Sequence, residues 1–235
     1  MGKNLIICDL DGTIANIEHR LHYIKGPKKD WPSFNKACVH DTVNKDVREI
    51  LWNMYDAGRK NGERPTDLQK VSDRFIYFFS GRSEAVRKET EEWLHRWVVS
   101  PSNCKEVEIN KDEFDEICGN GRAYTTREYN DKYFQLRPYL YMRKEGDFRN
   151  DIEVKREMIH SLNIKPDDVL CILDDRQGVV DMWREEGFRC LQVDAWKEEP
   201  KRHHLMDADL GTLNKEELIF LIKKEREFFN KRLAP

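Results

Sequence analysis

Residues 5–13 read LIICDLDGT, in which an apolar run is followed by two aspartates, Asp9 and Asp11, and then by Gly12 and Thr13. A short apolar run that ends in charge and glycine is typical of a buried parallel strand whose carboxyl end opens into a turn. The carboxyl ends of such strands line the binding crevice of open α/β sheets. We therefore expect the chemistry of this protein at the two aspartates.

Two carboxylates this close together need a positive partner. Unit charges about 4 Å apart repel by roughly 4 kcal/mol at an effective dielectric constant near 20. Mg²⁺ prefers oxygen ligands and commonly binds one or two carboxylates together with a substrate phosphate. Asp and Gly are also common in ordinary turns, so the pattern by itself is compatible with a metal site and with an acidic turn.

Two further apolar runs end in polar groups that suit the same site. The run at residues 169–173 precedes a second acid pair, Asp174 and Asp175. If both acid-tipped strands belong to one parallel sheet, their carboxylates meet at one edge and can share a cation. The run at residues 75–79 is followed by hydroxyl, amide and guanidinium groups of the kind that bind anions, in Ser80, Gly81 and Arg82.

Asp151 and Lys155 lie four residues apart in a segment whose apolar spacing predicts a helix. This spacing places the two side chains on one face. In isolation they could form a solvated ion pair worth a few tenths of a kcal/mol. Together with the strand-end acids, they could instead supply a cation to the same site.

The four motifs DLDGT, SGR, the lysine helix and LDDR, in this order, resemble the haloacid dehalogenase superfamily of phosphohydrolases. Within that superfamily the chain is most similar to the 3′-phosphatase domain of phage polynucleotide kinase. This resemblance covers residues 1–20, 44–58, 75–97 and 139–194.

The resemblance implies a division of roles among the acidic residues. Asp9 would be the nucleophile that forms an aspartyl-phosphate intermediate. Asp11 would act first as general acid and then as general base, which requires a pKa raised toward the working pH. Mg²⁺ would neutralise charge on the phosphate and the nucleophile, with Asp9, the Asp11 backbone carbonyl, Asp174 and Asp175 as its ligands.

The resemblance also implies a phosphate-binding set. Ser80 and the Gly81 amide would bind phosphoryl oxygens, and Lys155 would neutralise the phosphate while Asp151 orients a cation beside it. Arg20 and Arg82 are the candidates for further substrate contacts, whereas most other arginines are expected on the surface.

The chain is long enough for one domain, and alternating strands and helices predict a doubly wound, Rossmann-like parallel α/β sheet over residues 1–235. By the resemblance, residues 14–43 form a cap insertion, whose aromatic residues either stack on a base or pack against the core. Residues 99–137 form a second insertion, longer than the resemblance implies. Apolar spacing predicts an amphipathic C-terminal helix over residues 212–233.

Composition narrows the class of protein. The formal net charge is −3, which gives no general argument for binding a long nucleic acid. No apolar stretch is long enough to span a membrane, and the first ten residues lack the pattern of a secretion signal. The six cysteines show no zinc-ligand spacing. We therefore expect a cytoplasmic enzyme, with its oligomeric state open.

Our leading prediction is a Mg²⁺-dependent phosphomonoesterase that acts on (deoxy)nucleoside monophosphates. The mild acidity, the long insertion and the lack of a GxxxxGK[ST] kinase loop favour this small substrate. The alternative is a polynucleotide 3′-phosphatase that acts on nucleic-acid ends. A more remote alternative is a receiver-type domain that only accepts phosphate, which the order of the motifs disfavours.

Overall fold

A seven-stranded sheet forms the centre of this protein, seen in a computed structural model that describes residues 3–25, 27–58, 73–119 and 126–196. In chain order the strands are β1 (Leu5–Asp9), β2 (Ala15–Asn16), β3 (Thr42–Val43), β4 (Phe75–Ser83), β5 (Cys104–Ile109), β6 (Thr126–Tyr129), β7 (Lys132–Arg143), β8 (Val169–Arg176) and β9 (Cys190–Trp196). The α-helices are α1 (Trp31–Lys36), α2 (Lys45–Asp56), α3 (Arg87–Trp97), α4 (Lys111–Gly119), α5 (Asp151–Ser161) and α6 (Gln177–Glu185).

The sheet is mostly parallel, which confirms the predicted fold class. Its strand order is β5-β7-β4-β1-β8-β9, and β6 also pairs with β7. Strands β7, β4, β1, β8 and β9 run parallel, whereas β5 and β6 pair with β7 in the antiparallel direction. The chain proceeds from β1 to β4 on one side and later returns to β8 on the other, so the crevice of a doubly wound sheet opens at the end of β1.

The apolar composition of β1 follows from burial on both faces. Ile6 and Cys8 are fully buried in a cluster with α2 and α3, while Ile7 faces a second cluster with α5 and α6. Burying one such aliphatic side chain stabilises the fold by about 1.5–3 kcal/mol. Because neither face of this strand is solvated, its sequence is a continuous apolar run rather than an alternating one.

Residues 14–43 leave the sheet and return to it beside β1. Strands β2 and β3 pair in the antiparallel direction, which brings the two ends of this segment together. Between them lie α1 and two 3₁₀-helices, Glu18–Tyr23 and Ala37–His40. The segment therefore stands over the carboxyl end of β1, where a cap was predicted.

The predicted insertion at residues 99–137 contains β5, α4, β6 and the first half of β7. Strand β7 begins at Lys132, so its first residues belong to this insertion and the rest follows it. The early residues of β7 are half-buried and are held by backbone pairing with β5 and β6 on its two sides. Such pairing does not require an apolar run, so apolar patterning finds only the buried second half.

Residues 1–196 form one compact unit. The helix predicted over 212–233 lies outside the described residues, and a single domain over 1–235 stays a prediction. Among the helices of the described ranges, none combines the length and apolar character that crossing a membrane requires.

Candidate active site

The turn after β1 brings Asp9 close to the acids of β8. Gly12 has a φ of 88°, and a Cβ atom built there would lie 2.2 Å from Oδ2 of Asp175, so only glycine fits. The hydroxyl of Thr13 lies 3.1 Å from Oδ2 of Asp9 and 3.3 Å from Oδ1 of Asp175. Gly12 and Thr13 of the DLDGT sequence therefore allow the carboxyl ends of β1 and β8 to lie close together.

Three carboxylates meet at this point, as the sequence predicted. Asp9, Asp174 and Asp175 are buried, and one ligand oxygen of each lies within 4.8 Å of the others. The parallel pairing of β1 with β8, with Cys8 opposite Leu173, places the acids that follow at the same level.

Lys155 is the cation that this cluster receives from α5. Its Nζ donates to Oδ1 of Asp9 at 2.7 Å and to Oδ2 of Asp174 at 2.9 Å, and it lies 3.7 Å from Asp151. Lys155 is fully buried, so Asp151 and Lys155 are not a solvated pair on a helix surface. Their spacing on α5 serves instead to direct the ammonium group into the sheet edge.

Three buried carboxylates share one ammonium group, and their burial shifts the pKa values of the cluster. Burial raises the pKa of Asp9 well above its usual range, and Lys155 only partly opposes this. Burial and the adjacent Asp174 raise the pKa of Asp175 to about 7. Burial alone would lower the pKa of Lys155, but Asp174 and Asp9 outweigh it and raise that pKa well above its usual value.

This donor set fits a hard divalent cation. It consists of carboxylate oxygens, which Mg²⁺ prefers, and one ammonium group leaves part of their charge uncompensated. Two hydrogen bonds hold the Asp174 carboxylate in its orientation. Nε1 of Trp183 donates to its Oδ2 at 3.2 Å, and the Arg176 amide donates to its Oδ1 at 3.2 Å. Such supporting contacts are typical of metal ligands. Trp183 was not predicted, since its apolar spacing on α6 indicates only a core residue.

Asp11 lies in a separate, basic cluster. Arg20 Nη2 donates to Oδ1 of Asp11 at 2.7 Å, and Arg82 Nε donates to the same oxygen at 2.7 Å. Both guanidinium groups are buried and also bind Asp41. Arg20 donates to both oxygens of that carboxylate at 2.7 Å, and Arg82 Nη2 donates to its Oδ2 at 2.6 Å.

The predicted direction of the Asp11 pKa is wrong for this structure. Burial alone would raise that pKa, but the charges and hydrogen bonds of Arg82 and Arg20 outweigh burial and hold it below its ordinary value. Asp11 is consequently a carboxylate at neutral pH. The sequence-based expectation followed from the catalytic role alone. The two arginines that lower this pKa come from other segments of the chain, so the local sequence does not indicate them.

Asp41 is the functional candidate that the sequence analysis missed. Its side chain is fully buried, and its three partners are Arg20, Arg82 and His19, whose Nε2 lies 2.9 Å from Oδ1. The backbone oxygen of Asp41 accepts from Nε1 of Trp93 at 2.7 Å. No motif surrounds Asp41 in the sequence, and its position at the end of the capping segment, just before β3, is the only local signal.

The phosphate-binding strand end after β4 is shaped by close backbone contacts. The Ser80 hydroxyl is buried and accepts from the Arg82 amide at 3.2 Å. A Cβ atom on Gly81 would lie 2.5 Å from Oδ1 of Asp151, so a larger residue would displace that carboxylate. Asp151 also binds Arg143 at 3.2 Å and Arg176 at 3.3 Å, which gives this rim of the site two further cations.

Every predicted site residue thus lies at the carboxyl edge of the sheet. The acids of β1 and β8 share Lys155, the basic cluster holds Asp11, and the end of β4 lies beside Asp151. The Nη1 atom of Arg82 is buried and has no hydrogen-bond partner within the described ranges. The catalytic and binding roles of these residues stay predictions.

Comparison with known proteins adds a family match. The model of the family described as "Polynucleotide kinase PNKP phosphatase domain" matches residues 114–196. A protein of Autographa californica nuclear polyhedrosis virus, named "Putative bifunctional polynucleotide kinase/RNA ligase", is 24% identical over 181 residues. That alignment covers 77% of this chain and 18% of the viral protein. This chain therefore spans about a fifth of the length of that curated relative.

Solved structures resemble the chain over most of its length. A chain of the Pnkp1/Rnl/Hen1 RNA repair complex is 24% identical, with a TM-score of 0.47, and the match covers 82% of this chain and 42% of that one. A HAD family enzyme of Bacteroides thetaiotaomicron is 11% identical, with a TM-score of 0.35, and the match covers 85% and 97%.

Proposed function

We propose that this chain, which resembles the phosphatase domain of polynucleotide kinase, is a phosphatase of the haloacid dehalogenase type that removes the phosphate from nucleic-acid 3′ ends with the help of Mg²⁺. Asp9 and Asp11 lie in different electrostatic surroundings, and this difference carries the proposal. Asp9 sits beside Lys155 among carboxylates, whereas Asp11 sits between two arginines. One aspartate is thereby suited to attack phosphorus and the other to move protons.

The first step transfers the phosphoryl group to the protein. A carboxylate oxygen of Asp9 attacks phosphorus, the bond from phosphorus to the 3′ oxygen breaks, and Asp11 gives its proton to the departing oxygen. In the second step Asp11 takes a proton from water as that water attacks the aspartyl-phosphate. Asp9 is released as a carboxylate together with inorganic phosphate, so one water is consumed in each turnover.

Asp11 must be protonated for the first step, although the free protein holds it ionised. Two arginines and two aspartates balance in formal charge in the basic cluster, so a proton on Asp11 leaves one positive charge in excess. A phosphate dianion bound alongside offsets that charge, which raises the pKa of Asp11 when substrate is present. Substrate binding itself would therefore prepare the acid.

The acidic cluster would hold the metal through Asp9, Asp174 and Asp175, with the Asp11 backbone carbonyl as a further predicted ligand. Mg²⁺ supplies charge neutralisation for the phosphate and the nucleophile when it is bound. Lys155 serves the same purpose from the other side. The hydroxyl of Thr13 keeps Asp9 and Asp175 in place.

The nucleic-acid end is favoured over a mononucleotide by the family match. That match begins inside α4, so much of the 99–137 insertion belongs to the family pattern and no longer argues for a different substrate. The curated relative is named for a kinase and ligase of polynucleotides and RNA, which supports the same substrate class. A (deoxy)nucleoside monophosphate is the second candidate, favoured by the formal net charge of −3.

A substrate panel tests this proposal. It compares 3′-phosphorylated DNA and RNA oligonucleotides with 3′- and 5′-mononucleotides in Mg²⁺, using phosphate release to measure kcat/KM. We expect the oligonucleotides to exceed every mononucleotide and Asp9→Asn to abolish turnover. A 5′-mononucleotide preferred by tenfold or more would contradict the proposal, and a single stoichiometric phosphorylation without turnover would instead indicate a receiver-type domain.

A further inference from the structure

The capping segment, residues 14–43, reaches the candidate active site through two of its side chains. Arg20 near its start and Asp41 at its end both belong to the cluster that holds Asp11. The middle of this segment is therefore held at both ends by residues that contact Asp11 or its arginines. Two aromatic residues of α1, Trp31 and Phe34, occupy that region.

These two aromatic residues differ in burial. Phe34 is buried, and the guanidinium carbon of Arg20 lies 4.1 Å from its ring centroid. Trp31 contacts Phe34 edge-on, with ring centroids 5.7 Å apart, yet 43% of its surface is exposed. Phe34 thus accounts for the packing of the cap, and that packing leaves much of the Trp31 indole surface in solvent.

Trp31 lies within a bounded distance of the basic cluster. The two ring distances place it within about 10 Å of the Arg20 guanidinium, which itself contacts Asp11. A separation of this size is comparable to the length of a nucleotide. A strand whose 3′ end contacts Arg20 can therefore place a base within reach of the indole.

A lysine side chain lies beside the exposed ring of Trp31. Nζ of Lys29 lies 5.6 Å from the Trp31 ring centroid, and the Lys29 side chain is exposed. A long, flexible lysine can leave the ring when a base stacks there and can bind the phosphodiester that follows. An exposed aromatic ring beside a lysine is the combination that proteins use to bind single-stranded nucleic acid without sequence preference.

We propose that Trp31 is the specificity-determining residue of this phosphatase, and that a base of a single-stranded 3′ end stacks on its indole while Lys29 contacts the backbone. The inference rests on the proposed function, because it names the part of the protein that recognises the polynucleotide. Under this proposal, residues at the carboxyl edge of the sheet carry out the phosphate chemistry, and the capping segment selects the substrate.

The test compares Trp31→Ala and Trp31→Phe with Trp97→Ala. Trp97 is a matched control, since 42% of its surface is exposed and it ends α3, which runs from the carboxyl edge of the sheet to the opposite edge. For each protein, KM and kcat are measured on a 3′-phosphorylated single-stranded oligonucleotide and on para-nitrophenyl phosphate, which has no base.

We expect Trp31→Ala to raise KM for the oligonucleotide by about 5- to 150-fold, the factor that corresponds to one stacked base. The preference for the oligonucleotide over para-nitrophenyl phosphate should fall by the same factor, Trp31→Phe should restore most of it, and Trp97→Ala should keep the wild-type preference. A 3′-hydroxyl oligonucleotide should also quench more fluorescence in the wild type than in Trp31→Phe.

Different failures have different meanings. If wild type hydrolyses the oligonucleotide and Trp31→Ala keeps the wild-type preference, the stacking role is wrong and the proposed function stands. Equal losses on both substrates would make Trp31 a purely structural residue and would also overturn the inference. If wild type hydrolyses para-nitrophenyl phosphate but not the oligonucleotide, the proposed function is wrong, and the assignment of Trp31 falls with it.

Discussion

Replacing Asp41 by asparagine should destabilise the protein strongly, because this residue neutralises two buried cations. Its carboxylate accepts three hydrogen bonds of 2.6–2.7 Å from Arg20 and Arg82, and its side chain is fully buried. Asparagine has nearly the same size but carries no charge, and its amide group is a donor facing other donors. Two guanidinium groups would then share a single anion, Asp11.

The magnitude follows from the cost of an uncompensated buried charge. Breaking a buried ion pair by removing one partner typically costs 3–5 kcal/mol. We therefore expect Asp41→Asn to lower the free energy of unfolding by about 3–5 kcal/mol. In a chain of this size the loss corresponds to a fall in Tm of roughly 6–20 °C.

Urea titration and thermal melting at pH 7 measure this loss. Glu157→Gln is the control, since Glu157 accepts a hydrogen bond of 2.6 Å from Arg149 between two exposed side chains, where such pairs contribute little. A second check is the double variant Asp41→Asn with Arg20→Met, which should lose less than the sum of the single changes, because it removes the unpaired cation as well. A loss below about 1 kcal/mol for Asp41→Asn would refute this account of the basic cluster.

Two further predictions concern the acidic cluster. The folded pKa of Asp175, about 7, exceeds the unfolded value near 3.9, so its contribution is present in full below pH 4 and is lost as pH rises to 7. In EDTA, Tm should therefore fall between pH 5 and 8 and fall less in Asp175→Asn, and an unchanged slope in that variant would contradict the assignment. Trp183→Phe removes the hydrogen bond to Asp174 but keeps an aromatic ring, so calorimetry should show Mg²⁺ affinity about 10- to 100-fold lower. Trp52→Phe, which loses an indole bond to the Val98 carbonyl instead, should keep wild-type affinity, and equal losses in both variants would mean that Trp183 acts only through packing.

The acidic part of the site was predictable because each of its groups follows a local pattern. Apolar runs end at Asp9 and Asp174, and parallel strands bring their carboxyl ends to one edge whatever lies between them in the sequence. The lysine on α5 was placed by the i, i+4 spacing with Asp151 and by the resemblance. These signals depend on short stretches of chain, so no long-range contact had to be guessed.

The sequence predicted some residues of the basic cluster around Asp11 but not others. Arg20 and Arg82 were predicted as substrate contacts and lie beside Asp11, but their partner Asp41 and the lowered pKa of Asp11 were not predicted. Asp41 is 21 residues from Arg20 and 41 from Arg82, in a segment without regular periodicity. A pKa depends on all charges within a few ångströms, and their distances are known only when the capping segment is folded.

The sequence by itself determined the parallel α/β class of the fold, the apolar strands at the centre of the sheet and the acids that meet at their carboxyl edge. Each of these follows from burial of apolar residues with a regular period, which is a local property of the chain. Tertiary structure alone decided that Asp11 lies between two arginines, that Asp41 neutralises them and that the Trp31 ring stays exposed. Those properties arise from contacts between segments far apart in sequence, and electrostatic interactions depend on the distances that only the folded chain sets.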